Sequence, residues 1–525
     1  MRWWAEHTGR VQTAQLRGLL GRAAGCEFGR THNFARLAAM PDEEMLAGYR
    51  AETPVVDWYA FREPIARMRE GGEPNVLWPG LVRDFAQTSG TTAGDKFIPV
   101  SREMMRSNYR ASLDIFAHAV RFGVSLPGMM GGRCLFIGGS TSVETNEHGV
   151  RTGDLSGLVT GLIRWPLSEV YLPGRKIALM SDWPAKIDAM ARLCVEHDVR
   201  FISGMPSWAM VLFDRMLRVA RERGRPASCI RDLWPNLRVF VHGGVKYAPF
   251  DPRVRRFWSG DAGEDIPHRI ELYPASEAFV AIQDEPNREG VAQPSLRLCA
   301  DHGTFFEFVP LEEIDSASPR AFACDAVEPG VRYVVVLSTC AGLWRYVLGD
   351  VVEFDSVPRA RRGLQGSARR GGSRLSGGPA RLRIVGRHRH FINAFGENII
   401  VEHVENAVAA AAREAGVTVG EFTAAPVYPG EGRRPGLELA VEVAVGLPPA
   451  FAEAFDRALK TQNVDYTTKR TADLGMGPPI VTPLPVGAFH RWLESRGKLG
   501  GQHKCPRCAN SREIIESVVA VARQG

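Results

Sequence analysis

The sequence predicts an α/β protein: a large N-terminal domain of sheets and helices with an antiparallel β region, followed by a smaller α+β C-terminal domain. Three observations lead there. Near-continuous apolar runs of strand length recur between residues 133 and 277, as strands buried on both faces of a sheet require. A helical interval, PAKIDAMARLCVEHD, separates two of them in the pattern of a parallel crossover. A Gly/Ser/Arg tract then breaks the chain before a strand, a turn and a long helix restart it.

Taken in order, residues 12–70 read as helices. QTAQLRGLLGRAAG carries apolar positions at helical spacing and ends at a glycine suited to a helix terminus, and DEEMLAGYRAE continues in the same style. These helices are expected to pack as an outer layer. From Leu77 the pattern changes to RCLFIGG, RFISGMPSW, LRVFVHGG and HRIELYPASE, short apolar runs closed by Gly or Pro. The more alternating GTFFEFVPLEE and VRYVVVLST lead to LWRYVLGDVVEF and suggest antiparallel pairing. The tract at about 358–381 has almost no large apolar residue and cannot bury enough surface to order itself. LRIVGRHRHFINAFGENIIVEHVENAVAAAAREAG resumes regular structure, and SREIIESVVAVARQ closes the chain as a helix. The expected domains are therefore 1–385 and 386–525, the second of ordinary domain size.

Bulk composition excludes several classes. At 525 residues and 45% hydrophobic, the chain can bury proper cores. Its formal charge of +6 is accounted for by eight arginines, with no acid among them, between 359 and 383. That concentration argues for a solvated insertion, and nucleic acid is not the expected partner. Nine scattered cysteines, an odd number, read as reduced thiols of a cytoplasmic protein. No apolar run is long enough to span a bilayer, and MRWWAEHTGR lacks an apolar signal core.

Three constellations carry chemistry. In TSGTTAGDK, the hydroxyls of Ser89, Thr91 and Thr92, the small Gly90 and Gly94, and the charge of Lys96 suit a cradle for phosphate oxygens. Its spacing is not that of a Walker loop, and a polar hairpin turn accounts for the same residues. In ELYPASEAF, Glu277 ends an expected strand beside Ser276, where an open α/β sheet places ligand chemistry and where a carboxylate can hold Mg²⁺; a solvated Glu is the plain alternative. In WRYVLGDVVEF, Asp350 follows Gly349 inside an apolar strand pair, where a carboxylate needs hydrogen-bond donors such as a ribose diol or a turn backbone.

These segments, in this order and spacing, resemble the acyl-adenylate-forming superfamily. CEFGRTHNFARL, TSGTTAGDKFIPVS, GMPSW, YPASE, GDVVEF and GQHKCPRC further resemble the auxin-responsive Gretchen Hagen family, the acyl acid amido synthetases, in its bacterial form. The resemblance covers nearly the whole chain. It implies that a small carboxylic acid attacks the α-phosphorus of ATP, pyrophosphate leaves, and an amine, an amino acid above all, then displaces AMP. Ser89, Gly90, Thr91, Thr92 and Lys96 would hold the triphosphate with Mg²⁺ at Glu277, Ser276 would meet the α-phosphate, and Asp350 would anchor the ribose. Tyr273, the aromatic residue of the YPASE turn, joins the nucleotide-binding set. Lys504 is the expected catalytic lysine from the small domain, with Lys498 as the other choice.

VGRHRHFINAFGEN matches the superfamily hinge, with two departures: His388 stands where an acid is common and Asn398 where Lys is common. The Arg-rich tract is longer than the connection in relatives. Met205, Trp208 and His242 resemble the acyl-binding wall, although Met205 and Trp208 also suit a core. Cys505 and Cys508 make a poor zinc site, lacking a second pair. Two other functions compete with amide formation: a thioester-forming acyl-CoA ligase using the same adenylate, and a non-catalytic nucleotide-binding protein. A monomer is expected.

Overall fold

The computed structural model describes residues 2–88, 96–138, 143–160, 167–180, 182–225, 227–244, 247, 250–261, 263–288, 293–357, 379–388, 391–392, 399–427, 436–444, 446–463, 466–467, 470, 476–497, 504–509 and 512–524. The Arg-rich stretch 358–378 lies outside the described residues. The chain divides into two compact units: Met1–Leu348 with Val352–Arg383, and Gly349–Val351 with Ile384–Gly525.

In the first unit, helices Arg2–Ala23, Glu27–Thr31, Phe34–Ala39, Asp42–Glu52 and Arg62–Arg69 form the helical layer. It is fastened by polar side chains that match backbone groups of the sheet. The Gln12 amide donates to the carbonyls of Ala300 (2.6 Å) and Thr304 (2.9 Å), and its carbonyl accepts from Phe306 N (2.7 Å). Tyr49 and Ser338 hydroxyls meet at 2.7 Å. Around them Trp344, fully buried, packs edge-on against Phe34 at 4.6 Å and beside Phe28 and Trp78.

Among the described residues the main sheet has eleven strands, in the order Thr304–Pro310, Arg332–Thr339, Tyr346–Ser356, Arg381–Arg387, Leu296–Leu298, Phe279–Gln283, His268–Pro274, Val239–Gly243, Val199–Gly204, Arg133–Ile137 and Tyr171–Leu172. The segment from Arg133–Ile137 through His268–Pro274 is parallel. Helices Trp183–Cys194 and Pro206–Glu222 supply crossovers, as parallel neighbours demand. Pairing then turns antiparallel from Pro274 onward and at Thr304–Pro310 with Arg332–Thr339. The carboxyl ends of the parallel strands therefore gather Gly138, Gly204, Gly243 and Pro274 on one edge. A second sheet pairs Asp84–Thr88 with Lys96–Val100 as a hairpin and, in parallel, with Arg151–Gly153.

The second unit is a three-stranded sheet, Val419–Val427, Gly436–Val443 and Ile480–Pro485, covered on both faces. The two-residue period of strands sorts its side chains. Ala424, Leu439 and Val441 face one core with Val404, Val408, Phe451 and Phe455 of helices Val401–Glu414 and Ala450–Gln462. Ala425 and Ala440 face another, with Phe489 and Trp492 of helix Ala488–Ser495 and Ile515 and Val518 of helix Glu513–Gln524. One edge of this sheet is extended by residues 507–509, where Ala424 N donates to Arg507 O and Ala509 N to Ala424 O. The opposite edge is Ile480–Pro485, which carries Pro483 and Pro485. Cys505 and Cys508 are buried in the two hydrophobic clusters of this unit, and burial pushes the Cys505 pKa up to about 12. No group of metal-ligating side chains occurs among the described residues, and no described helix is long and apolar enough to cross a membrane.

Candidate functional site

In the first unit, several of the candidate residues lie at the carboxyl edge of the parallel strands. The run HRIELYPASE forms the strand His268–Pro274, which stops three residues short of Glu277. Glu277 sits instead in the turn closed by Ala275 N donating to Ala278 O, which leads into the antiparallel strand Phe279–Gln283. The strand-end expectation is therefore corrected to a turn. The turn sets Glu277 in a buried position, 9% exposed, where its Oε1 accepts a hydrogen bond from the Tyr346 hydroxyl at 3.0 Å. Two of the three sequence constellations thus meet through a contact between residues 69 positions apart. Tyr273 is buried and Ser276 half-buried on the same strand-and-turn.

Tyr346 is itself held from behind. Arg345, which precedes it, has a left-handed backbone (φ +44°) and is 4% exposed. Its Nε donates to Glu307 Oε2 (2.8 Å), while Nη1 donates to the carbonyls of Arg50 (3.1 Å) and Thr53 (2.7 Å). Arg50 Nε donates to the other oxygen of Glu307 at 2.7 Å. One fully buried carboxylate therefore joins two guanidinium groups and ties the helical layer to the Tyr346 strand.

Lys96 is half-buried at the start of its strand and pairs in register with Thr88. Ser89, Gly90, Thr91 and Thr92 lie outside the described residues, as does Lys498. Met205 caps the helix Pro206–Glu222 and Trp208 stands in its first turn, both half-buried. His242 is buried at 3% exposure, its ring stacked on Tyr247 at 4.1 Å, and the Arg269 guanidinium lies over the Tyr247 ring, 4.3 Å from its centroid. Burial first, and the Arg269 charge second, lower the His242 pKa from 6.5 to about 3. His242 is therefore neutral in the folded chain, while the unfolded chain takes up a proton below its ordinary pKa. Stability is fully present above 6.5 and is lost as pH falls below it. A urea midpoint that declines on acidification, and declines less in His242→Asn, is the expected result; a midpoint indifferent to the substitution would contradict it.

In the second unit, Asp350 is half-buried and follows Gly349, whose φ of +90° favours glycine. The Gly349 carbonyl accepts from His388 N at 2.9 Å, and His388 Nδ1 lies 3.1 Å from the same oxygen. The histidine that departs from the usual hinge acid thus closes on the Gly-Asp motif within this unit. Lys504 is exposed, immediately before the segment that extends the small sheet. Sequence reasoning passed over the roles of Tyr346, Arg345 and Glu307, since no local pattern signals contacts so distant in the chain.

Known proteins align with these features. The GH3 family N-terminal domain matches residues 4–163, the central domain residues 297–361 and the C-terminal domain residues 402–513. The chain is 24% identical to "Indole-3-acetic acid-amido synthetase GH3.8" of Oryza sativa subsp. indica, over 96% of this chain and 89% of that one. It is 26% identical to "Indole-3-acetic acid-amido synthetase GH3.3" of Arabidopsis thaliana, over 96% and 90%. Its fold is similar to that of a GH3.15 acyl acid amido synthetase, with a TM-score of 0.76 at 16% identity over 98% of this chain and 94% of the other. It is also similar to 2-hydroxyisobutyryl-CoA ligase in its postadenylation state, with a TM-score of 0.52 at 16% identity over 98% and 92%. Three family domains in order, and relatives aligned along nearly their whole length, lead to one conclusion: the chain belongs to the GH3 family.

Proposed function

We propose that the protein is an AMP-forming acid–amine ligase, which adenylates a small carboxylic acid with ATP and transfers the acyl group to an amino acid or another amine. The observation that carries this reading is the buried meeting of Glu277 with Tyr346, from two segments of the nucleotide constellation, in a chain of the GH3 family. It acts as a cytoplasmic monomer; nine buried cysteines accord with a reducing compartment.

The residue roles follow from where charge develops. Adenylation concentrates negative charge on the α-phosphate and on the departing pyrophosphate, so donors and cations must already be in place. Ser89, Thr91, Thr92 and Lys96 supply them beside Gly90, with Ser276 at the α-phosphate and Tyr273 packing in the nucleotide site. A hard carboxylate donor suits Mg²⁺, which is commonly held by one or two carboxylates and the substrate phosphates. Glu277 would hold that ion, which would neutralise phosphate charge. Tyr346 fixes the Glu277 carboxylate through its hydroxyl. Asp350 accepts the ribose hydroxyls, Met205 and Trp208 offer the acyl group an apolar wall, and His242 stiffens that wall as a stacked neutral ring. Lys504 brings its ammonium to the adenylate.

Carboxylate-dependent ATP/pyrophosphate exchange, followed by a panel of acceptors, tests the reading. AMP released in step with amide is expected for amines; turnover with coenzyme A and none with amines would replace it by thioester formation. Lys504→Ala is expected to lower exchange on the order of 10²-fold, the scale of one removed charge-stabilising donor. Unchanged exchange in that variant would remove Lys504 from the mechanism.

A further inference from the structure

We propose that a cleft lined by Arg50 and Arg345, between the helix Asp42–Glu52 and the segment after Pro310, is a second ligand site, which takes a small monocarboxylate with an apolar body. The site stands whether or not the ligase reading holds.

Two segments far apart in sequence build its walls. The helix Asp42–Glu52 and the residues after it contribute Leu46, Pro54 and Val55, and the connection between the strands Thr304–Pro310 and Arg332–Thr339 contributes Ile314 and Phe322. That connection is fastened down. Phe322 N donates to Phe308 O and Phe308 N to Phe322 O, both at 2.9 Å, and Arg320 Nε donates to Glu313 Oε1 at 2.9 Å. The cleft has a volume of about 740 Å³, room for a ring or a short aliphatic chain. None of the described nucleotide or acyl-wall candidates lines it.

Its charge selects the ligand. Glu307 is shared by Arg50 and Arg345, so one carboxylate answers two guanidinium groups and one positive charge is left over. Arg50 meets Glu307 through Nε; its Nη2 is buried without a hydrogen-bond partner, while 32% of the side chain stays exposed. Arg345 uses Nε on Glu307 and Nη1 on the Arg50 and Thr53 carbonyls, and none of these bonds occupies Nη2. A guanidinium presents its donors as a planar fork that a carboxylate matches with two parallel hydrogen bonds, and donors left unmet away from water are costly.

The remaining charges narrow the choice. Arg320 is paired with Glu313, Glu43 is exposed, and the Asp325 carboxylate lies against Gly9. Glu43 and Asp325 also line the cleft, so a second negative charge on the ligand would be repelled. A monocarboxylate therefore fits better than a phosphate dianion. Apolar walls around a single cationic end ask for an apolar body behind the carboxylate. The bound carboxylate would join the ion-pair group that ties the helical layer to the Tyr346 strand.

Photoaffinity labelling of the full chain with a diazirine-bearing phenylacetate, followed by peptide mapping, tests the assignment. Label is expected within residues 43–55 and 314–326. Excess phenylacetate is expected to displace it, whereas phenethylamine, with the same ring and the opposite charge, and inorganic phosphate are not. Arg50→Gln is expected to cut this labelling about tenfold or more, the scale of one hydrogen bond to a charged group. Ala51→Trp, which narrows the cleft from its wall and leaves both arginines in place, is expected to do the same. Label absent from both segments, label undiminished in Ala51→Trp, or displacement by phenethylamine or phosphate as effective as by phenylacetate would each overturn the proposal. Should either variant not fold, the competition pattern of the parent protein decides by itself.

Discussion

Replacing Glu277 by Gln lowers ATP/pyrophosphate exchange on the order of 10²–10³-fold, about 3–4 kcal/mol of transition-state stabilisation. The substitution keeps size and a hydrogen-bond acceptor for the Tyr346 hydroxyl but removes the negative charge from a buried site. Packing is therefore little disturbed, and the deficit falls on whatever the charge was there to hold. The Mg²⁺ concentration for half-maximal exchange is expected to rise in parallel. Tyr346→Phe, which leaves the carboxylate charged but loosens it, is expected to cost about tenfold, nearer the worth of one hydrogen bond to a charged group. Exchange at the parent rate in Glu277→Gln, or a loss with unaltered Mg²⁺ dependence, would take Glu277 out of the metal role.

Glu307→Leu destabilises the first unit by about 3–5 kcal/mol, the usual cost of removing one partner from a buried ion pair. Glu307 is 1% exposed and receives Arg50 on one oxygen and Arg345 on the other. Removing it leaves Arg345, itself 4% exposed, as an uncompensated interior cation on a left-handed backbone. Because Arg345 adjoins Tyr346, the effect should reach the Glu277 site: exchange is expected to weaken even at temperatures where the variant remains folded. The midpoint of the first urea transition measures the stability loss, and a decrease below about 1 kcal/mol would show that solvent or a rearranged Arg345 replaces the carboxylate.

Much of this architecture is legible in the sequence because burial leaves a pattern. RCLFIGG, RFISGMPSW and LRVFVHGG each hold a short apolar run, and each contributes a strand of the parallel region. LELAVEVAVG is nearly unbroken for the same reason, since both faces of its sheet are covered. The helices of residues 12–70 follow their apolar spacing. What stayed hidden depends on long-range placement. Glu277 reads as a strand end, but Pro274 closes the strand earlier and a turn delivers the carboxylate. Likewise the stacking of His242 on Tyr247, five residues on, has no signal in LRVFVHGG.

The rims of the small three-stranded sheet have a consequence for life in a crowded solution. A bare strand edge recruits stray strands from other molecules and seeds insoluble assemblies. Here residues 507–509 occupy one rim, and on the other Pro483 and Pro485 stand at alternate positions, where no N–H can be offered outward. The unit therefore resists edge-to-edge polymerisation by its own covalent chemistry, independent of whether any nucleotide is bound.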